Sequence, residues 1–190
     1  MRITKLPGTT IDANIERNCA DRIFTPMFYS GGLVLSQIAQ ITGLEGYIIQ
    51  NWVKRKYLSH PENKKYSRCQ LCRILNINIL KDCFTLDQTE EILSYISSPL
   101  RINNNSCYID DSDLYSYFTN VLSALQTDTS DRLNIENIDD VIANEILENN
   151  LKPQTICQRL IAVLRIMIIA YESLEIKNRA SELYKKLDFK

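Results

Sequence analysis

The chain has 190 residues, 45% of them hydrophobic, with 22 basic and 23 acidic side chains and a formal charge of −1, the profile of one large or two small globular domains. No apolar run approaches the ~18 residues of a membrane-spanning helix. The opening MRITKLPGTTIDANIERNC lacks the apolar stretch of a secretory signal, so neither a signal nor a membrane span is visible and a cytoplasmic location is expected.

The near-neutral total hides an asymmetry. Residues 44–81 carry eight basic and two acidic side chains, a net +6, whereas residues 82–190 carry ten and eighteen, a net −8. A short basic segment in an otherwise acidic chain has the form of a footprint on a polyanion, although lysines also decorate any solvated face.

Five glycines and five prolines are few, and most long segments place apolar residues three and four apart, which predicts a mainly α protein. Residues 1–29 form an N-terminal segment with one helix expected around 12–24, ahead of a break at Pro26. In SGGLVLSQIAQITGL, Val34, Leu35, Ile38 and Ile41 make the apolar face of a short helix that stops at Gly43. A second helix is expected over 45–56. So tight a junction predicts a helix-turn-helix. On that second helix Leu44, Ile49, Trp52 and Val53 face a core, while Tyr47, Gln50, Asn51 and Lys54 share the opposite side. Amides and a phenol can read base edges, and lysine can neutralise phosphate. The following KYLSHPENKKYS predicts a short strand, a polar loop over 61–64 and a return at Lys65 and Tyr66, a small two-stranded wing.

Ser67 is the expected N-cap of a helix burying Leu71, Ile74, Leu75 and Ile79. Thr85 opens another, burying Leu86, Ile92, Leu93 and Ile96. The run from ITGLEGYIIQNWVKRKYL through KKYS to QLCRILNINILKDCFTLDQTEEIL resembles the winged helix-turn-helix of MerR-type transcription regulators. With GGLVLSQIAQ before it, the segment 25–118 is similar to the bacterial family called domain of unknown function eighteen thirty-six. The resemblance implies double-stranded DNA as partner, with Tyr47, Gln50 and Asn51 on the recognition helix and Lys64 on the wing; the basic face and loop add Lys54, Arg55 and Lys65 to the expected DNA-binding set. Tyr47 and Gln50 stand where MerR helices usually carry arginine. Lys56 stands where they carry glycine, which puts the turn geometry in question.

Other chemistries have little to stand on. Cys69 and Cys72 form a CxxC, but one inside a helical pattern and without a second pair, so no metal site and no redox role is expected. The six cysteines are expected to be reduced and to act as small hydrophobes. His60 is the sole histidine, and no Gly-rich phosphate loop occurs, so neither an enzyme nor a cofactor is expected. Beyond a helix presenting Leu114, Tyr117, Phe118 and Val121, the polar QTDTSD marks a boundary. The expected organisation is therefore an N-terminal segment 1–29, a winged helix-turn-helix domain with flanking helices over 30–126, and an acidic helical domain over 127–190. Helices are expected over 138–147 and after Pro153, with residues 160–171 apolar nearly all round. That last domain is expected to mediate dimerisation or to sense a ligand: pairing through 160–171 and 176–187 into a homodimer is the expectation, and closure of a monomeric bundle by the same helices is the alternative. The expected function is sequence-specific DNA binding in transcriptional control; the alternative is a protein-interaction adaptor on the same fold.

Overall fold

A computed structural model describes residues 5–98, 100–102, 105–107, 109–126, 137–149 and 154–187. Its helices are α1 (Cys19–Met27), α2 (Leu35–Thr42), α3 (Gly46–Lys54), α4 (Arg68–Leu80), α5 (Leu86–Ser97), α6 (Asp111–Leu125), α7 (Ile138–Glu148) and α8 (Gln154–Lys185). Two short antiparallel pairs complete the described structure. β1 (Leu33–Val34) pairs with β2 (Lys65–Tyr66), and β3 (Leu100–Ile102) with β4 (Asn105–Cys107).

Helix starts follow local chemistry. Ser67 accepts from the Gln70 backbone N–H at 3.2 Å, and the Gln70 side chain accepts from the Ser67 N–H at 2.9 Å. Thr85 and Gln88 repeat this reciprocal box at 3.3 and 3.0 Å. Each box satisfies two otherwise orphaned donors. Asp110 caps α6 by accepting from the N–H groups of Ser112 and Asp113 at 2.8 and 2.9 Å. At the far end of α2, Gly43 adopts φ 68°, the left-handed conformation that closes a helix and suits glycine.

Helix α1 begins at Cys19, later than expected, and holds Pro26 in its last turn. The chain before it has other roles. Leu6 is fully buried, Lys5 bridges Asp12, and Thr10 closes the end of α2 by donating to Gln40 O at 2.7 Å and Ile41 O at 2.8 Å. The Pro7 and Gly8 carbonyls accept from Tyr115 OH at 2.6 Å and Asn78 Nδ2 at 3.0 Å. The N-terminal segment is thus built into the body. Its Leu6, Gly8 and threonines follow no helical period, so nothing local in the sequence signals this docking.

Helix α4 lies at the centre. Leu71, Ile74, Leu75 and Ile79 are buried as expected, and so are Cys72, Asn76, Ile77 and Leu80. It is covered by α2, α5, α6 and α8. In α5, Leu93 and Ile96 are buried while Leu86 and Ile92 are half-buried, and Thr89 lies unexpectedly inside. In α6 the inner face holds Leu114, Phe118 and Val121 with Tyr115, and Tyr117 is half-buried. A chain of rings from Phe24 through Tyr115 and Phe118 to Tyr171, with centroids 5.7, 6.3 and 5.9 Å apart, ties α1, α6 and α8 together.

The residues expected to divide the chain near 126 fall mostly outside the described ones. On either side of them, however, the buried residues form one core: α7 and α8 pack on α6, and α8 also packs on α4 and α5. Residues 160–171 are therefore covered mainly by the chain itself, with Leu160, Val163, Leu164, Met167, Ile168 and Tyr171 buried and Ile169 exposed. None of the helices among the described residues is long and apolar enough to cross a membrane.

Trp52 is 3% exposed, on the inner face of α3. Trp52→Ala is expected to cost about 3–5 kcal/mol, as for other large buried aromatics, in urea unfolding monitored by circular dichroism.

Candidate functional site

Gly43, Leu44 and Glu45 join α2 to α3, and the burial of Leu44 pins the turn. Helix α3 then divides cleanly. Ile49, Trp52 and Val53 are buried, whereas Gln50, Asn51 and Lys54 are exposed and Tyr47 is 70% exposed. Offsets of three, four and seven place those four exposed side chains on one face, so the structure brings them together. This face offers a phenol, two amide groups and one ammonium to solvent.

The helix ends in a paired-bond cap. Lys56 N–H donates to Val53 O at 3.1 Å and Tyr57 N–H to Trp52 O at 3.0 Å, with Lys56 at φ 67°. That is the Schellman arrangement, whose left-handed residue is usually glycine. Lys56 thus keeps the turn that the missing glycine puts in question.

The wing differs from its expected pairing. Lys65 and Tyr66 pair with Leu33 and Val34, ahead of α2, and not with the segment after α3. The cap turns Tyr57 and Leu58 into the core, and Gln70 Nε2 takes up the next carbonyls, donating to Ser59 O at 3.0 Å and His60 O at 3.1 Å. A side chain satisfies that backbone, so no strand forms there. Val34 accordingly lies in β1, exposed, and not on the buried face of α2. Gly32 makes the pairing possible: a Cβ there would stand 2.6 Å from Tyr66 O.

At the tip, Glu62 bridges Lys65, whose N–H donates to Glu62 O at 2.8 Å, and the two residues between, Asn63 and Lys64, have φ 48° and 62°. Two successive left-handed residues in a two-residue loop are the signature of a type I′ turn. All four residues are exposed. An open cleft of about 520 Å³ lies beside the turn, lined among others by Gly32, Ser59, His60, Glu62, Lys65 and Gln70.

The basic residues of this region sort by type. Arg68 pairs with Asp21 and donates to Thr25 at 3.2 Å, and Arg73 pairs with Glu90 and, at 3.4 Å, with Asp111. Arg55 donates to Tyr57 OH at 2.8 Å with its guanidinium 4.9 Å from the ring centre, and Tyr57 donates in turn to Asp87. Arg55 is therefore engaged with its own chain, unlike the rest of the expected set. Lys54, Lys56, Lys64 and Lys65 are exposed and make no ion pair among the described residues. Lys56 and Asn63 join the exposed set, to which the sequence pattern alone does not assign them. Asn63 was findable, since asparagine tolerates the left-handed conformation.

Of the CxxC pair, Cys72 faces inward and Cys69 is half-buried at the edge of the cleft. Cys72 is wholly buried, which pushes its thiol far up, and burial with Asp111 and Asp110 nearby raises Cys69 as well. Such thiols are poor nucleophiles and poor ligands.

Lys64 holds a conformation that disfavours any side chain with a Cβ. Lys64→Gly is expected to raise the unfolding free energy by about 0.5–1 kcal/mol, and Lys64→Ala to leave it within about 0.5 kcal/mol, in paired urea titrations.

No curated protein and no solved structure matches the chain. Residues 32–118, which hold α2, α3, the β1–β2 pair, α4 and α5, match the model of the family described as Domain of unknown function (DUF1836), in agreement with the expected similarity to that family.

Proposed function

We propose that residues 33–80 form a winged helix-turn-helix of the MerR layout, and that the protein binds double-stranded DNA sequence-specifically to control transcription. The observation that carries this reading is the outer face of α3. Tyr47, Gln50, Asn51 and Lys54 lie exposed on one side of a helix whose other side is anchored by Ile49, Trp52 and Val53. Such a helix can enter a major groove without disturbing its own packing. Its amides offer the paired donor and acceptor that adenine presents, and its lysine and phenol suit phosphate oxygens. Lys64 and Lys65, on the tight turn, supply backbone contacts that position the helix without reading sequence. Arg55 contributes to the recognition helix by holding its end against Tyr57 and Asp87.

Fluorescence anisotropy of the full chain on duplex DNA tests the electrostatic part. Affinity is expected to fall steeply with salt, and Lys64→Ala with Lys65→Ala to flatten the log–log slope by roughly 0.9 for each phosphate left without its lysine. Genome-wide capture of bound DNA tests the sequence-reading part: Asn51→Ala is expected to abolish enrichment of a shared motif while leaving the salt slope unchanged. Affinity insensitive to salt, or no enriched motif for the wild-type protein, would overturn the reading.

A further inference from the structure

The chain is 24% charged, yet the 22 residues from Ile23 to Leu44 carry no charged side chain. Burial is not the reason, because nine of them are exposed, among them Tyr29, Ser30, Val34, Ser36 and Gln37. Between α1 and β1 this neutral stretch makes a tight turn. The Gly31 N–H donates to Phe28 O at 3.1 Å, which closes a four-residue turn with Tyr29 and Ser30 as its central pair. Gly31 follows at φ 98°, a conformation open to glycine. Phe28 packs against the core and anchors the turn. Tyr29, at its tip, is 81% exposed, more than any other large hydrophobic side chain among the described residues, and its phenol has no hydrogen-bond partner among them.

The turn stands beside the wing. A Cβ on Gly31 would meet the Lys65 ammonium at 3.7 Å, and one on Gly32 would meet Lys65 Cβ at 2.9 Å. Tyr29 is two residues from Gly31, so their Cα atoms are at most about 7.6 Å apart. Lys65 in turn pairs with Val34, Leu35 follows, and a Cβ on Gly46 would touch Leu35 at 3.5 Å, next to Tyr47. A continuous strip of surface therefore leads from Tyr29 across Lys65 and Val34 to the first turn of α3.

We propose that the turn at Tyr29 is a further contact with double-stranded DNA, outside the winged helix-turn-helix, in which the phenol donates to a phosphate oxygen beside the one that Lys65 neutralises. It rests on the DNA-binding reading and extends it. Phosphates follow one another closely along each strand, so a donor held next to Lys65 meets a neighbouring one. The uncharged stretch 23–44 sets no carboxylate of its own against them. Tyrosine hydroxyls serve as phosphate donors, and a ring with two torsions on a hydrogen-bonded turn loses little freedom when it is fixed. A phenol is not a cation and displaces no counterion. Tyr29 thus adds affinity without adding salt dependence, and, touching only backbone, it does not distinguish one sequence from another.

Fluorescence anisotropy of the full chain on duplex DNA across a salt series tests this. Tyr29→Phe is expected to weaken binding about three- to tenfold at every salt concentration, on any duplex sequence, with the log–log slope of the wild type. The thermal melt is expected to stay unchanged, since the side chain is exposed, so the loss is not one of folding. With p-benzoylphenylalanine in place of Tyr29, irradiation is expected to cross-link the protein to DNA, as from position 47. Wild-type affinity in Tyr29→Phe, or no cross-link from position 29 while position 47 gives one, overturns the contact and leaves the DNA-binding reading standing. A wild-type protein without salt-dependent affinity, and without a cross-link from either position, overturns both.

Discussion

The burial of α4 over most of its circumference is the constraint from which the rest of the architecture follows. Leu71, Ile74, Leu75, Ile77, Ile79 and Leu80 are each no more than 2% exposed. At roughly 1.5–3 kcal/mol for each buried aliphatic side chain, their gross contribution is comparable with the whole net stability of a typical domain, about 5–15 kcal/mol. No single neighbour can cover a helix that is buried over most of its circumference. Helix α2 takes one side, while α5, α6 and α8 take the others. The α2–α3 pair and the C-terminal helices therefore complete one another around a shared element, and removing the latter would expose α4, on which α2 packs.

Polar groups fix how these layers sit. Asn76, wholly buried on α4, donates to the Asp111 carbonyl at 3.2 Å and to its carboxylate at 3.3 Å, while Arg73 reaches the same carboxylate, Glu90 and, at 3.3 Å, the Tyr57 carbonyl. One arginine thus joins the turn after α3 to α5 and α6. Desolvation raises the Asp111 carboxyl against the lowering effects of Arg73 and Asn76, so the cluster is held at some electrostatic cost. A second seam runs from Arg17 to Glu145 at 3.2 Å, on to Asn120 at 2.8 Å and back to the Asn18 backbone at 2.7 Å, locking α7 and α6 to the start of α1. Directional contacts of this kind specify register where apolar packing alone would tolerate sliding.

How much of this the sequence disclosed depends on the range of the interaction. Features written in a few adjacent residues were legible: the boxes at Ser67 and Thr85, the stop at Gly43, and the division of α3 into inner and outer faces. Features set by distant residues were not. Residues 71–80 show one apolar face by periodicity, but their burial on the remaining sides comes from α6 and α8, which lie far away in sequence. Proximity along the chain favours pairing the wing with the segment nearest to it. Its true partner at Leu33 and Val34 depends on Gly32 admitting close approach and on Gln70 occupying the alternative backbone. The apolar stretch 160–171 was open to two readings, internal packing or subunit contact, because amino-acid type records the need for cover and not its source.

The same distinction applies to charge. The basic segment carries +6 by count, yet its three arginines are committed within the chain, two of them to carboxylates and the third to a phenol. What remains for solvent is a set of five lysines, two at the end of α3, two on the turn and Lys81 at the end of α4, diluted by exposed Glu45 and Glu62. The division follows from side-chain geometry: the planar guanidinium fork suits fixed bonds between helices, whereas the flexible ammonium keeps its hydration and suits a contact made and broken. The field that this surface projects is consequently weaker than the residue count implies. Under the proposed DNA binding, a module with so few available cations relies on side-chain readout by Gln50 and Asn51 to reach useful affinity.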